Sequence, residues 1–377
     1  MEFILIIGIF EALLLAGLIF TQKKKSWSDN ILGAFFLLYA LNFALSYLEF
    51  YNRQHGFPYP SFINTAPPFI LLHGPVLWFY IKSLTDQHFK FRPIYGLHFF
   101  PFLIMLLVLW IDIYSLPVQQ KIELIASETI TDFLTYKIFV IAIAISTIGY
   151  FYWGFAMVQR YKRKIKTYFS HIENIDLSWL QALLVAALIL YGIVNSAYIV
   201  DFFYPIASFG MLQFLSFVFG AVYIVFLGFF GLRQGNLFAT QKLNLDLENA
   251  VKQPSDQDSL PEKERKFIYT LQDYMKEHKP YLNSDLTINK LSKELDVTPE
   301  YLSRIINKQL NKNFFDFINT YRVEEFKRMC KDEKNENFTL IGLAYDSGFN
   351  SKATFNRVFK NITGTTPGAY YKNVSGK

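Results

Sequence analysis

Two arginines, Arg304 and Arg357, stand at matching positions in two similar stretches near the C-terminus, and Asn356 precedes the second. A guanidinium group can donate two parallel hydrogen bonds to the acceptor edge of guanine, and an asparagine amide pairs similarly with adenine. Lys352 and Lys360, close by in sequence, suit phosphate oxygens or base edges. For any one of these side chains, an ordinary solvated surface is an equally good explanation. Equivalent placement in both stretches favours contact with DNA.

The first stretch, LTINKLSKELDVTPEYLSRIINKQL, predicts two short helices joined by a tight turn. Leu291 lies on the apolar face of the first helix, and Asp296 falls in the turn. Thr298 suits the N-cap of the second helix and Pro299 suits its first position. The second helix then turns four side chains outward: Glu300, Ser303, Arg304 and Asn307. Two helices in this arrangement form a helix-turn-helix unit.

The second stretch, AYDSGFNSKATFNRVFK at residues 344 to 360, repeats the first. Leu291 corresponds to Leu343 at an offset of 52, and Leu302 corresponds to Phe355 at an offset of 53. The extra residue falls in the turn, where an insertion is tolerated. Between the copies, NFFDFINTYRVEEFKRMCK predicts one longer amphipathic helix. Two such units on a rigid connector can read adjacent major-groove segments, which recur about every 34 to 36 Å along DNA.

From the N-terminus to residue 232 the chain is a succession of apolar stretches, each close to the roughly 20 residues that cross a bilayer as a helix. The whole chain is 52% hydrophobic and 18% aromatic, which is too apolar for an ordinary soluble protein. Prolines interrupt the third stretch and open the seventh, so six or eight spans are alternatives. We predict seven spans: 3–20, 31–50, 66–84, 97–115, 133–157, 179–202 and 206–232.

Basic residues are distributed unevenly between the loops on the two sides of these spans. Eleven Lys and Arg lie on one side, five of them in the run QRYKRKIK, whereas only Arg53, Lys121 and Lys137 lie on the other. Because short cytoplasmic loops collect Lys and Arg, we predict an external N-terminus and a cytoplasmic C-terminal region. Basic loops can also contact nucleic acid, but membrane topology explains these more simply. The first apolar stretch does not resemble a cleaved signal peptide, since its positive charges follow it.

A polar side chain inside a bilayer is costly unless it faces the interior of the helix bundle or water. Glu11 is therefore a candidate for sensing a signal, although a hydrogen bond that only holds neighbouring helices together explains it equally well. His73, His98 and Asn195 are further candidates. The apolar region contains neither HExxH nor GxSxG, and the single cysteine, Cys330, excludes an intramolecular disulfide or a multi-thiolate metal site. We predict no catalytic residues, no metal site and no cofactor.

The composition changes near residue 232, from apolar runs to a polar and charged sequence. Residues 233–262 contain a cluster of Pro, Ser, Asp and Gln around Pro254, which predicts a tether that is part helical at first. From residue 261 onward there are 20 Lys and Arg against 15 Asp and Glu, so this third carries most of the net charge of +6. We therefore predict an all-α protein with a transmembrane bundle at 1–232, a cytoplasmic linker at 233–262 and a DNA-binding domain at 263–377.

Residues 263 to 373 resemble the AraC/XylS family of bacterial transcription regulators. The resemblance rests on LTINKLSKELDVTPEYLSRIINKQLNKNFFDFINTYRVEEFKRM and on LAYDSGFNSKATFNRVFKNITGTTP, in which GF-x-S-x-x-x-F-x-R-x-FK is highly specific. It implies these DNA-reading residues: Glu300, Ser303, Arg304, Lys352, Asn356 and Arg357. Phe326 stands where the family commonly has alanine, and Tyr371 where it often has arginine. The apolar region resembles, less specifically, the seven-helix regions of membrane-bound AraC-type regulators through HGPVLWFYIKSLT and LHFFPFL.

Together these features predict a membrane-anchored, sequence-specific DNA-binding transcription regulator in a bacterial inner membrane. Its expected partners are double-stranded DNA, the lipid bilayer and an unknown signal, with RNA polymerase and a second copy of the chain as further candidates. An alternative is a membrane receptor or transporter whose helical tail docks another protein. An intramembrane enzyme is a third class, but Glu11, His73 and His98 show no recognisable catalytic spacing. Release of the C-terminal region by proteolysis in the linker is a regulatory variant of the first prediction.

Overall fold

The computed structural model describes residues 1–23, 25–86, 89–126, 133–173, 175–204, 209–240, 262–335 and 337–375. Within these ranges the regular elements are helices and there is no β-strand, which confirms the predicted all-α class. The described residues fall into two compact units. The first, which we call the membrane unit after its long apolar helices, consists of those in 1–160 and 177–240. The second, the C-terminal unit, combines those in 161–176 with those from 262 onward.

The described part of the membrane unit contains eight α-helices, named in chain order. They are α1 Glu2–Phe20, α2 Trp27–Gln54, α3 Pro67–Thr85, α4 Phe100–Leu109, α5 Val118–Ala126, α6 Leu134–Ile165, α7 Ser178–Phe203 and α8 Phe209–Thr240. A 3₁₀ segment at Pro93–Phe99 leads into α4 and a π-helical turn at Trp110–Tyr114 follows it. These three pieces together make one apolar segment of 22 residues.

Six helices among the described residues are long and apolar enough to cross a membrane. They are Glu2–Phe20, Trp27–Gln54, Pro93–Tyr114, Leu134–Ile165, Ser178–Val200 and Met211–Arg233. The third predicted stretch is also helical, as the 19-residue α3, but it is not one of the six. Three prolines and His73 lower its mean hydropathy. Six segments, instead of the predicted seven, thus meet the requirements of length and composition.

Small residues allow α1 and α2 to approach closely. Gly8, Ala12 and Ala16 are buried and recur every four residues along one face of α1. A methyl group built on Gly8 would lie 2.9 Å from the ring of Phe43 in α2, so a larger residue would push the helices apart. Close packing of small residues is a common way for helices to associate in lipid, where burial of apolar surface between helices gives little driving force.

The C-terminal unit contains seven α-helices in its described part. They are α9 Glu262–Glu277, α10 Ile288–Glu294, α11 Pro299–Arg304, α12 Phe314–Cys330, α13 Leu340–Asp346, α14 Lys352–Thr363 and α15 Pro367–Ser375. Five of them begin at a polar N-cap whose side chain accepts a hydrogen bond from the backbone NH three residues later: Thr287, Thr298, Asn313, Thr339 and Ser351. These caps fix where each short helix starts, because they satisfy a backbone donor that has no partner within the helix.

Helix α12 is the centre of the hydrophobic core in the C-terminal unit. Near its start, Phe314 belongs to a buried cluster that includes Leu302 of α11. Near its end, Phe326 is fully buried, with its ring centroid 4.7 Å from that of Phe355 and 5.4 Å from that of Phe359 in α14. An aromatic ring therefore fills the position where the resemblance implies alanine, and it joins α12 to α14.

Helix α8 continues through residue 232, where the sequence predicts a domain boundary, and ends at Thr240. The first part of the predicted linker, residues 233–240, is therefore helical, in agreement with the expected part-helical start. The remainder of the predicted linker, residues 241–261 with Pro254, lies outside the described residues.

Candidate nucleic-acid interface

Helices α10 and α11 form the first helix-turn-helix unit, and α11 continues as a π-helical turn to Gln309. In the turn, Asp296 adopts a left-handed backbone conformation with φ of 52°. Val297 N, next in sequence, donates a hydrogen bond to Ser292 O at 3.0 Å. Thr298 then caps α11, whose first residue is proline. The structure thus has the tight turn and the helix start that the sequence predicts.

Helices α13 and α14 form the second unit with the same backbone geometry. The left-handed turn residue is Gly348, with φ of 97°, and Phe349 N donates to Ala344 O at 3.1 Å. The N-cap of α14 is Ser351. These positions follow their counterparts by 52 residues before Asn350 and by 53 after it, so Asn350 is the inserted residue. The sequence repeat is therefore also a structural repeat.

Helix α14 separates an apolar face from a polar face. Phe355 and Phe359 are buried against the core. The predicted DNA-reading residues of this helix are all exposed: Lys352, Asn356, Arg357 and Lys360. Within the part of the chain that the structure describes, Arg357 has no ion pair and no hydrogen bond. A guanidinium, an amide and two ammonium groups are thus displayed on one helix.

Helix α11 presents its predicted residues less uniformly. Glu300 and Arg304 are exposed, but Ser303 is buried and its hydroxyl accepts a hydrogen bond from Asn307 Nδ2 at 3.1 Å. This corrects the prediction that Ser303 faces outward. The reason is that Ser303 lies one turn before Ile306, which is fully buried in the core, so both side chains point away from solvent. In the second unit the equivalent position is exposed and holds Asn356.

Arg304 is held by an acidic residue that the sequence analysis missed. Glu264, in α9, forms an ion pair with Arg304 Nη2 at 3.0 Å and also accepts a hydrogen bond from Gln309 Nε2 at 2.8 Å. The guanidinium carbon of Arg304 lies 5.3 Å from the centroid of the Tyr301 ring. A signal was available, because Glu264 falls seven residues before the buried Leu271 and so shares the apolar face of α9.

Arg322, in α12, is a second residue that the sequence analysis missed. It is fully buried, and its Nε donates to Tyr281 O at 2.8 Å and its Nη2 to Asn283 O at 2.9 Å. Burial lowers the pKa of Arg322 to about 10, so it stays charged at neutral pH. Its guanidinium carbon also lies 5.9 Å from the centroid of the Phe349 ring, in the second turn. The available signal was an arginine four residues after Ile318 on the buried face of the connecting helix.

A protein family described as "Helix-turn-helix domain" matches residues 291–373, which begin within α10 and continue through the second unit. The C-terminal region contains an AraC-type helix-turn-helix domain. Over 98 residues the chain is 33% identical to an uncharacterized HTH-type transcriptional regulator of Staphylococcus aureus (strain COL), and over 90 residues it is 37% identical to the uncharacterized HTH-type transcriptional regulator YobQ of Bacillus subtilis (strain 168).

These similarities concern one part of each protein. The alignments cover 26% and 24% of this chain, and they span 12% of the Staphylococcus relative and 36% of YobQ. A solved structure of a Listeria innocua protein of unknown function aligns with 28% of this chain and 95% of its own, at 29% identity and a TM-score of 0.25. The family match places the helix-turn-helix domain at residues 291–373, and both relatives are named as HTH-type transcriptional regulators.

Outside the AraC-type domain, the four residues predicted to sense a signal do not come together. His73 and Asn195 line the same cavity in the membrane unit, whereas Glu11 and His98 are not part of its lining. The Nδ1 atom of His98 lies 2.6 Å from the Tyr150 hydroxyl. Glu11 is half-buried on α1. Only His73 and Asn195 therefore share a potential binding site.

Proposed function

We propose that this protein is a membrane-anchored, sequence-specific DNA-binding transcription regulator of a bacterium, with its AraC-type domain in the cytoplasm. The observation that carries the proposal is the structural repeat, in which two units of the same backbone geometry place an exposed arginine, Arg304 or Arg357, at the same position. Six apolar helices and the basic loops support a membrane anchor with a cytoplasmic C-terminal region.

The chemistry of the exposed residues fits the major groove. In α14, Arg357 suits guanine, Asn356 suits adenine, and Lys352 and Lys360 suit phosphate or base edges. In α11, Arg304 is the residue with matching chemistry. A second groove contact from the same chain raises affinity without requiring a second protein molecule. A signal received by the membrane unit would then change the orientation or association of the AraC-type domains, which requires two states that bind the signal differently.

The direct test is a genome-wide DNA pull-down with tagged full-length protein in its native cell. We expect a few sharp peaks that share a sequence motif and are lost in an Arg304→Ala/Arg357→Ala double variant. A matched control, Lys276→Ala/Lys331→Ala, removes two exposed positive charges outside the recognition helices and should keep the peaks. Diffuse enrichment that is unchanged by the arginine substitutions would contradict the proposal.

The same experiment distinguishes the alternative, a membrane receptor or transporter with a protein-docking tail. Such a tail should tolerate loss of both arginines as long as its apolar core is intact, and it should give no motif. Orientation is tested separately with reporter fusions at each end, for which we expect an external N-terminus and an internal C-terminus. Blots under activating conditions test proteolytic release: a full-length band alone contradicts it. A palindromic or direct-repeat motif would indicate binding by two copies of the chain.

A further inference from the structure

A cavity of about 210 Å³ lies inside the membrane unit, with walls from α2, α3, α6, α7 and α8. An engineered apolar cavity of about 150 Å³ binds benzene, so a cavity of this size holds a substituted ring. Much of its wall is aromatic: Tyr39, Phe43, Phe139 and Phe217. The interior therefore favours a ligand with a flat, apolar body.

Two polar atoms in this wall, Asn195 Nδ2 and His73 Nε2, are buried and have no hydrogen-bond partner among the described residues. The Asn195 residue is only 7% exposed. Other polar groups in the wall do have partners: Asn42 Nδ2 donates to the Ala66 carbonyl at 2.9 Å, and the hydroxyls of Tyr39 and Tyr191 lie 3.4 Å apart. Unpartnered buried polar groups are few in native proteins and call for an explanation. Asn195 Nδ2 and His73 Nε2 are thus two positions in the wall where a polar group of a ligand would find an unpartnered atom.

The charges in the wall cancel each other. Glu49 and Arg53 both line the cavity and form an ion pair at 3.3 Å, so they offer no net charge to a ligand. We propose that this cavity binds a compact, uncharged molecule with an apolar ring and an oxygen acceptor, which Asn195 Nδ2 and His73 Nε2 engage. This proposal rests on the proposed function, in which the membrane unit receives a signal.

The test uses full-length protein in lipid nanodiscs and two fluorinated probes of similar shape. 4-Fluoroacetophenone carries a ring and a carbonyl acceptor, whereas 1-ethyl-4-fluorobenzene lacks the carbonyl. Binding is measured by ¹⁹F NMR as the saturable part of the line broadening, since partition into lipid is not saturable. We expect 4-fluoroacetophenone, the ketone, to bind about tenfold more tightly than 1-ethyl-4-fluorobenzene, because only the ketone has a carbonyl that accepts a hydrogen bond from Asn195.

Two variants make the result specific to the cavity. Asn195→Leu should reduce the affinity for the ketone about tenfold and leave the affinity for 1-ethyl-4-fluorobenzene unchanged. Gly220→Leu should abolish saturable binding of both probes, since Gly220 lines the cavity and a Cβ there meets Phe43 and Tyr39 only at ordinary contact distances of 3.5 to 4.0 Å. Thermal unfolding of each variant checks that it is folded, and we expect Asn195→Leu to raise the unfolding temperature because it removes an unpartnered amide.

Equal saturable binding to the wild type and to folded Gly220→Leu would overturn the proposal, as would the absence of saturable binding to the wild type. Neither measurement involves DNA. If the protein binds the ketone but gives no DNA motif in the pull-down, the proposed function is contradicted and the ligand site stands. If it gives a motif but shows no saturable binding of the ketone, the ligand site is contradicted and the proposed function stands.

A second inference rests on a different observation, the segment Lys166–Ser170 between α6 and α7. This segment belongs to the C-terminal unit, although it lies between two helices of the membrane unit in sequence. Its backbone accepts hydrogen bonds from Phe315 N and Ile288 N, at 2.9 Å each, through Lys166 O and Tyr168 O. Both donors lie in the first turn of a helix, α12 and α10 respectively. The segment is therefore attached to two helices of the core that supports the first helix-turn-helix unit.

Ser170 fixes the end of this segment. It is fully buried, and its hydroxyl donates to Leu286 O at 2.6 Å. Arg322 Nη2 donates to the same hydroxyl at 3.1 Å, and Arg322 Nη1 and Asn319 Nδ2 each donate to Ser170 O at 3.2 Å. Ser170, about 150 positions earlier in the chain, thus accepts two of the hydrogen bonds that the buried Arg322 donates.

We propose that the segment Lys166–Ser170 is the link through which the membrane unit controls the first helix-turn-helix unit. It is joined covalently to α6 on one side and, through residues up to 177, to α7 on the other. A shift of either helix end is therefore delivered to the starts of α10 and α12. This inference also rests on the proposed function, because it names the route of that regulation.

Ser170→Arg tests the link, since a second guanidinium beside Arg322 repels it and is too large for the buried site. Thr167→Arg is the matched control, because the hydrogen bonds of Thr167 are to Arg163 O and Lys164 O in the last turn of α6 and not to the C-terminal helices. In full-length protein we expect Ser170→Arg to speed hydrogen exchange at the Ile288 and Phe315 amides at least tenfold. We also expect a change of at least threefold in affinity for the motif and in target-gene expression.

Ser170→Ala removes only the hydroxyl and should produce smaller changes of the same kind in hydrogen exchange, motif affinity and expression. It keeps the test valid if the Ser170→Arg variant does not fold. Faster exchange at the two amides with unchanged motif affinity and expression would overturn the proposal, because the segment would then serve stability alone. Unchanged exchange in folded Ser170→Arg would overturn it as well. A wild type that binds no motif would instead refute the proposed function.

Discussion

The two helix-turn-helix units share their backbone geometry but differ in how their arginines are held. Arg304 in the first unit forms an ion pair with the nearly buried Glu264, whereas Arg357 in the second has no ion pair within the described residues. The first unit is also in contact, through Ile288, with the segment Lys166–Ser170. A repeat in sequence thus establishes a repeat in fold and does not establish equal roles. We therefore expect the second unit to bind DNA without rearrangement of its arginine, and the first unit to require release of Arg304 from Glu264.

The units also differ in the residue that makes the turn. Asp296 has φ of 52°, which an aspartate tolerates at modest cost, whereas Gly348 has φ of 97°. A methyl group built on Gly348 would lie 2.3 Å from Tyr281 O and 2.9 Å from Leu282 Cα, both backbone atoms that cannot move alone. The second turn therefore packs more tightly against the rest of the C-terminal unit.

The largest expected effect comes from Gly348→Ala. We expect it to cost more than about 3 kcal/mol of unfolding free energy, because it combines a strained φ with a backbone clash. The reverse type of change in the first unit, Asp296→Gly, should alter stability by less than about 1 kcal/mol. Urea-dependent proteolysis of the C-terminal unit in nanodisc-held protein measures both. Similar losses at the two positions would show that the turns are equally tight.

Next in size is the loss of a recognition arginine. We expect Arg357→Ala to weaken binding to the motif by about 1 to 3 kcal/mol and to relax base preference at one position. Arg304→Ala should cost less than half as much, because Arg304 must give up or share its bond with Glu264. Fluorescence anisotropy with full-length protein and motif DNA measures both, with Lys276→Ala as the control for charge. Equal losses would mean that the ion pair does not restrain Arg304.

A smaller effect should follow from releasing Arg304. Glu264→Gln keeps the shape of the side chain and removes the charge that holds the guanidinium, so we expect motif affinity to rise about two- to tenfold. Glu262→Gln is the matched control: it removes the same charge from α9, but its partner is the exposed Lys266, at 2.9 Å. If both variants raise affinity equally, general repulsion of DNA by acidic residues explains the effect. In that case the first unit is not specifically restrained.

Individual residues show how much of the fold and of the candidate site could be predicted from the sequence. The capping residue Thr298 and the offset of 52 then 53 were predicted from the sequence, because local hydrogen bonding and apolar spacing determine short helices. The inward position of Ser303 was not, since it depends on how the short α11 packs on its neighbours. The ion pair of Arg304 joins residues 40 positions apart, and the bonds of Arg322 to Ser170 join residues 152 positions apart. Contacts between residues so far apart in sequence depend on tertiary packing, and the periodicity of apolar residues within one helix does not predict them.

The smallest expected effect concerns pH and the support of the second turn. Glu325, in α12, accepts hydrogen bonds from Arg328 Nη2 at 2.7 Å and Lys279 Nζ at 3.0 Å, and Tyr281 Oη lies 3.4 Å from its carboxylate. The hydrogen bond from Arg328, followed by that from Lys279, lowers the pKa of Glu325 below its ordinary value of 4.5. The carboxylate therefore stabilises the folded state above that value, and the stabilisation is lost as the pH falls through the lowered pKa.

Because Tyr281 O is the atom that a side chain at Gly348 would meet, loosening of Tyr281 should affect the second turn before the first. We expect acidification from pH 6 to below about pH 4 to lower the protection of Phe349 N against hydrogen exchange, measured relative to an unprotected amide at the same pH, more than that of Val297 N, the equivalent turn amide. Glu325→Gln should remove most of that difference in pH dependence, and Glu324→Gln, on the exposed neighbour, should leave it in place. If acid affects the two amides equally in the wild type, the two turns are supported alike. The difference between the units would then lie only in the surroundings of Arg304 and Arg357.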